Sequence, residues 1–251
     1  MSTGQSRSAP GSPVTEPGKR SDFTVAGILL AAWRGSRGRL GLAWRGLGAY
    51  VGIIVLFNGA FLLLAPDEPG SYSFGLPNLP GLIDELVQGL ILLPMLAGLF
   101  IFGATFARGL TPRPASIFEW YDHSLTLLLV IILSHLLILL GLLFFVLPGI
   151  YLLVCLQFAI PLAIDKQLGP WAAMRRSREL VTPVWFRMFT LNLIAGLLLA
   201  GSVLLLGIPL IWVLPVLLHT WGDLYDRLAG LEEHTVLRVT RPRRRAGLRQ
   251  P

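Results

Sequence analysis

All 21 Lys and Arg residues of this chain fall into four blocks, and between successive blocks stand pairs of long, almost uncharged segments. Seven precede residue 46, Arg108 and Arg113 form the second block, five lie at 166–187 and seven at 227–249. The paired segments are 47–65 and 82–106, then 124–146 and 150–164, then 188–206 and 209–229. Apolar runs of this length find a matching solvent only in lipid. A hydrocarbon core of roughly 30 Å takes about 20 helical residues, with about 17 as the lower limit. Within lipid the backbone must satisfy its own polar groups, so such runs become helices. Composition agrees: 54% of residues are apolar and 14% charged, against roughly 25% charged in soluble domains. Mean hydropathy is +0.67. The expected fold is therefore all-α, a polytopic membrane helical bundle of six transmembrane helices with interfacial amphipathic helices.

Charge also orients the bundle. The side facing away from the basic blocks carries Asp67, Glu68, Asp84 and Glu85 and no Lys or Arg. Basic residues stay on the cytoplasmic side, which places both termini there and requires an even number of crossings. The expected location is the cell inner (cytoplasmic) membrane, multi-pass. The segment at 150–164 is short for a span. It reads as a tilted helix extended by its neighbours, or as one arm of a re-entrant hairpin.

Three regions follow along the chain. Residues 1–21 are rich in Ser, Gly and Pro, read as a disordered tail and hold no apolar core of a secretory signal. Residues 22–230 form the six-helix membrane domain, and 231–251 a basic cytoplasmic tail. Asp22 suits the cap of an interfacial helix ending near Trp33, before a flexible turn of Gly35, Gly38 and Gly41 among Arg34, Arg37 and Arg39. Leu147-Pro148-Gly149 and Gly207-Ile208-Pro209 read as hairpin turns. Residues 170–181 form an amphipathic helix, begun by Pro170 and stopped at Thr182-Pro183. Trp171, Ala173, Met174, Ser177, Leu180 and Val181 share one of its faces.

Few residues offer chemistry. The single Cys155 precludes an intrachain disulfide and any redox motif. No carboxylate pair, nucleophile–base set, metal-ligand spacing or cofactor fingerprint stands out, so neither an enzyme nor a cofactor is expected. The intramembrane polar candidates are His135, an ionisable group near the middle of the third span, and Asn58, Gln157 and Asn192, each a hydrogen-bond partner for it in another span. His219, Asp223 and Asp226 share one face of the last helix at i, i+4 and i+7. They read as a solvated helix end paired with Arg227 or with the loop at 175–178, rather than as a metal site. Candidate contacts to anionic lipid headgroups are Arg175, Arg176 and Arg178 on the amphipathic helix and Arg243, Arg244 and Arg245 in the tail. The tail arginines lack the aromatics or the fold of a nucleic-acid binder, so nucleic acid is not an expected partner.

The motif Leu147-Pro148-Gly149-Ile150-Tyr151 leads through an apolar run to Asp165. Leu168-Gly169-Pro170-Trp171-Ala172 and Arg176-Ser177-Arg178-Glu179-Leu180-Val181 follow, and the last helix carries Pro215 and Tyr225. This pattern resembles the membrane domain attached to some bacterial glycerophosphodiester phosphodiesterases, and the related stand-alone YciC-like inner-membrane proteins. The resemblance covers roughly 95–230, with its specific part at 147–182. A bacterial source also fits the bias of the basic residues toward Arg. The resemblance implies a membrane domain without chemistry of its own. No soluble segment is long enough for a barrel enzyme, so phosphodiesterase activity would come from another polypeptide. The expected function is a non-catalytic structural or regulatory membrane module. Its partners would be membrane lipids, through anionic headgroups on the cytoplasmic side, and another membrane protein. The alternative is a small transporter or lipid-handling membrane protein, motivated by His135, Asn58 and Asn192.

Overall fold

In the computed structural model, which describes residues 23–64 and 79–240, every regular element is helical. The described α-helices are α1 (Val25–Arg37), α2 (Leu40–Leu64), α3 (Leu79–Ala107), α4 (Ser124–Phe144), α5 (Val146–Cys155), α6 (Ala159–Asp165), α7 (Pro170–Val181), α8 (Trp185–Leu204), α9 (Leu210–Leu228) and α10 (Glu233–Thr240). Short 3₁₀ turns at Pro114–Phe118, Tyr121–His123 and Thr182–Val184 join them. Five helical stretches among these residues are long and apolar enough to cross a membrane: Leu40–Ala60, Val87–Ala107, Pro114–Phe144, Val146–Asp165 and Pro170–Leu204. The disordered tail at 1–21, the Asp22 cap, Asp67 and Glu68 of the acidic loop, and Arg243, Arg244 and Arg245 lie outside the described residues.

Local boundaries depart from expectation in instructive ways. Thr24 caps α1, its hydroxyl accepting from Gly27 N at 3.2 Å. This helix continues past Trp33 to Arg37, so Gly35 is helical and the expected turn narrows to Gly38 and Arg39 before α2. The reason is packing: a Cβ on Gly35 would lie 2.7 Å from Nε2 of His219 on α9, so the glycine lets the two helices approach. The first hairpin turns at Phe145, whose backbone is extended (φ −157°, ψ 138°), rather than at Leu147-Pro148-Gly149. Pro148 instead sits in the first turn of α5, where its missing N–H costs no hydrogen bond. The short segment 150–164 proves to be two helices, α5 and α6, separated at 156–158; with the residues from Val146 it reaches span length. The second hairpin turns through Leu206 (φ 56°) and Gly207 (φ 76°), as the Gly-Ile-Pro sequence predicts.

Burial sorts the helices into centre and rim. Of the span windows, 61% of residues are buried in α3 and 56% in α5–α6, but only 17% in α2, 17% in α4 and 22% in α7–α8. Thus α3 and α5–α6 are enclosed by protein, and the others turn apolar side chains outward. Glycines set the closest crossings. A Cβ on Gly222 of α9 would lie 2.2 Å from the carbonyl carbon of Gly103 on α3. One on Gly98 would meet the Ile117 carbonyl oxygen at 2.6 Å, beside the fully buried Trp120. Such backbone-to-backbone approach is how helices gain contact where lipid gives no hydrophobic drive between them.

The break between α5 and α6 is closed by α7. Ser177, fully buried, donates its hydroxyl to Cys155 O at 2.6 Å and accepts from Phe158 N at 3.2 Å. One side chain therefore satisfies an orphan carbonyl and an orphan amide where the helical ladder stops. Ser177→Ala leaves both unmet and is expected to cost about 2 kcal/mol, read as a lowered unfolding temperature in detergent. Ser177→Thr keeps the hydroxyl; a loss equal to that of alanine would show that space, not hydrogen bonding, matters there.

Candidate functional site

Tyr225, Lys166 and the Glu232 amide gather around Asp165. It is the first acidic residue after the uncharged run that ends α6, and its side chain is completely buried. Lys166 leaves the helix, Gln167 adopts a left-handed φ of 51°, and Leu168 N donates to Ala163 O at 3.1 Å to close the helix end. This turn holds Asp165 against α9. Its carboxylate accepts from the Tyr225 hydroxyl at 2.7 Å and from Glu232 N at 3.1 Å, and Lys166 Nζ lies 3.6 Å away. Lys166 also donates to Gly230 O at 2.7 Å and to Glu232 at 2.5 Å. The ammonium holds the Glu232 carboxyl below its ordinary pKa. That ion pair is therefore intact at neutral pH and is lost as pH falls through the depressed value.

A second pair braces the same loop from α3. Arg108 makes a bidentate contact to Asp226, Nε to Oδ2 at 2.8 Å and Nη2 to Oδ1 at 2.5 Å, and donates to Leu231 O at 3.1 Å. The hydrogen bond to Asp226 raises the Arg108 pKa still further above its ordinary value. Asp226 also accepts from Leu231 N at 3.1 Å. The residues read as the start of a basic tail are thus ordered in part: α10 docks on the turns before α4. Arg113 N donates to Val239 O at 3.1 Å, while its guanidinium donates to Arg238 O and to Glu119, both at 2.8 Å. Arg238 lies over the Trp120 ring at 4.4 Å, donates to Glu119 O, and approaches Asp122 at 3.2 Å.

The stripe on α9 does not act together. Asp223 pairs with Arg227 at 2.8 Å, as expected. Asp226 pairs with Arg108 instead of with Arg227 or the 175–178 loop. His219 turns into the packing, edge-on to Phe106 with ring centroids 5.6 Å apart. Arg175 and Arg176 reach Glu179 on their own helix, at 3.1 and 3.4 Å, with Arg178 exposed beside them. Arg175, Arg176 and Glu179 face Lys166 and Glu232 across a cleft of about 490 Å³. On α7 the buried residues are Ala173, Met174, Ser177 and Val181; Trp171 lies outside that face and is exposed.

The intramembrane polar candidates do not converge. His135 is exposed on α4, and its Nδ1 lies 2.8 Å from Ile131 O, one turn back on its own helix. Asn58 is exposed on α2 and likewise bonds backward, Nδ2 to Ile54 O at 2.8 Å. Gln157 is half-buried at the α5–α6 break, with its Nε2 enclosed and unpartnered among the described residues. Asn192 is half-buried on α8. The expected bond from His135 to Asn58, Gln157 or Asn192 is replaced by the one to Ile131. Sequence reasoning singled out none of Arg108, Lys166 and Glu232, and quoted Asp165 and Tyr225 only as parts of a motif. A usable signal existed: Asp165 is the first carboxylate after a long uncharged run, where it demands a partner.

The fold and this cluster define the class as an all-helical protein with, among the described residues, five helices long and apolar enough to cross a membrane, fitting a membrane protein, and with ion pairs that tie its polar turns together. Comparison with family models, with curated proteins and with solved structures returned no match.

Proposed function

We propose that the chain is a non-catalytic structural or regulatory module of the cell inner membrane, crossing it six times with both termini in the cytoplasm. One observation carries this reading: the charged groups of the basic end are engaged with one another and with backbone, as in Asp165–Tyr225, Arg108–Asp226 and Arg113–Glu119. Groups held this way brace a bundle; they are not poised to move a proton or attack a bond. The sixth crossing is α9. Its first half is apolar, and its second carries His219, Asp223, Asp226 and Arg227, which lowers its hydropathy. That polar half belongs at the headgroup level, with Arg108 and Arg113. On this reading α1 and α7 lie at the cytoplasmic interface, and anionic lipid and a membrane-protein partner meet the basic face. The likeness to phosphodiesterase membrane domains and YciC-like proteins points the same way. Transport is disfavoured because His135 and Asn58 are exposed on separate helices, each bonded to its own backbone.

Cysteine labelling tests the topology. In a Cys155→Ser background, a membrane-impermeant reagent added from outside should reach positions in 67–79 and leave 166–180 and 240–250 unlabelled. External labelling of the C-terminal tail would overturn the six-span arrangement.

A further inference from the structure

The N-terminal helices stand outside the ion pairs described above. Between Asp22 and Asp67 the sequence holds four arginines and no carboxylate. One of them, Arg39, is engaged inside the bundle: it donates to Phe106 O at 3.3 Å and to Leu110 O at 2.5 Å, and lies over the Phe106 ring. The other three are Arg34 and Arg37 on α1 and Arg45 in the second turn of α2. All three are exposed and meet no acidic side chain among the described residues. Arg37 sits over the Trp33 ring at 5.3 Å, a contact with the ring face that occupies no N–H donor. Helix geometry sets these cations beside apolar surface. Leu30, Trp33, Arg34 and Arg37 stand at i, i+3, i+4 and i+7 and share one face of α1. That face is open, with Leu30 53% and Trp33 39% exposed. On the opposite face Ile28, Ala32 and Ser36 are buried, beside the close approach of Gly35 to His219 on α9. One side of α1 is thus fixed to the bundle, and the other, apolar and cationic together, is left uncovered by the described residues.

Connectivity limits what can cover that face. Three residues after Arg37 begins Leu40–Ala60, a stretch long and apolar enough to cross a membrane, so α1 is tethered where that stretch starts. A soluble polyanion would answer the arginines and leave Leu30 without apolar cover. A leaflet of anionic phospholipid answers both demands. We infer that α1 is the protein's docking surface for such a leaflet, with Leu30 and Trp33 in the acyl boundary and Arg34 and Arg37 on phosphate groups. An indole suits that level, where an amphipathic ring has one wet and one apolar edge. Arg45, farther along α2, reaches the same headgroup layer on its long side chain. The arginines of α7 are weaker candidates: Glu179 holds Arg175 at 3.1 Å and Arg176 at 3.4 Å and offsets their charge.

The proposal rests on the membrane reading above but fails separately from it. Fractionation of the chain with soluble proteins would sink the membrane reading. The docking surface is tested on the full-length chain in a Cys155→Ser, Ala31→Cys background, with a fluorophore on that exposed position one turn before Arg34. The labelled chain is placed in bilayer nanodiscs of phosphatidylglycerol and phosphatidylcholine at equal mole fraction, a trace of one lipid or the other bearing an acyl-chain quencher. Quenching should be stronger from phosphatidylglycerol, and that preference should fall as salt is added. Arg34→Gln and Arg37→Gln should each lower it by up to about fivefold, the share of one cation near an anionic surface. Arg175→Gln, on α7, should leave it unchanged. If the α1 variants do not enter discs as folded protein, the salt series on the parent chain carries the test. Equal quenching by the two lipids, a preference that survives high salt or the loss of both arginines, or an Arg175→Gln effect as large as that of Arg37→Gln would each overturn the proposal. So would a fluorophore that neither lipid reaches in discs retaining the protein, or a polypeptide or nucleic acid found over α1 in place of lipid.

Discussion

Replacing Gly222 with valine is expected to destroy the assembled bundle, and this should be the largest single-residue effect in the chain. A Cβ at that position lies 2.2 Å from the carbonyl carbon of Gly103, 2.3 Å from its oxygen and 2.4 Å from Ala104 N. Every one of these atoms is backbone, so no rotamer change relieves the clash. Overpacking that side chains can absorb costs about 1–3 kcal/mol, and occasionally more. Here α3 and α9 must move apart along the crossing that also positions Phe106, His219 and the Arg108–Asp226 pair. The expected loss exceeds about 3 kcal/mol, or roughly 10 °C in unfolding temperature for a chain of this size. Gly196→Ala is the control: nothing lies within 4 Å of its added methyl, and a helical Gly→Ala change alone stabilises by about 0.5–1 kcal/mol. Size-exclusion profiles and thermal unfolding in detergent read both variants. A Gly222→Val protein that elutes and melts like wild type would mean that α3 and α9 do not meet at these glycines.

The second large effect belongs to Asp165. Removing its carboxylate by Asp165→Ala leaves the Glu232 amide without its acceptor and the Tyr225 hydroxyl, on a side chain with 1% exposure, with only the Pro161 carbonyl at 3.5 Å. Each unmet buried group costs about 1–3 kcal/mol, and breaking a buried charged contact about 3–5 in all. Lys166 keeps Glu232 and Gly230 O, which limits the loss on its side. The Tyr225→Phe variant removes only the donor and should cost about 1–2 kcal/mol. Because the two groups bond each other, the double variant should be less damaged than the sum of the singles. Additive losses in that cycle would show that Asp165 is held by the loop at 230–232 alone.

How far these residues were legible beforehand depends on the physics that placed them. The apolar runs announced themselves as helices because any other backbone in lipid forfeits its hydrogen bonds. The amphipathic α7 was readable from Pro170 to Val181 because both ends carry proline signals. The place where a hairpin turns was not so readable. Proline fits both a turn and the first turn of a helix, and Pro148 took the second role while Phe145 made the turn. His135 and Asn58 show a related gap. Their depth follows from position in a run, but α2 and α4 are apolar on every side, so nothing in either sequence says which face turns inward. Both residues came to lie outward, each bonded to its own helix.

What the sequence by itself determined is therefore the long apolar runs, their helical state and the four blocks into which the basic residues fall. Each is a property of single residues or short runs, settled by transfer between water and lipid and by local backbone bonding. Which polar groups meet was a tertiary matter. Arg108 and Asp226 stand 118 residues apart, Asp165 and Tyr225 60 apart, and Arg113 and Arg238 125 apart. The same holds for glycine: the chain has 27, and Gly222 differs from Gly196 only in what lies opposite. A residue's partner across a bundle depends on how every intervening helix is rotated and spaced, and only packing in three dimensions supplies that.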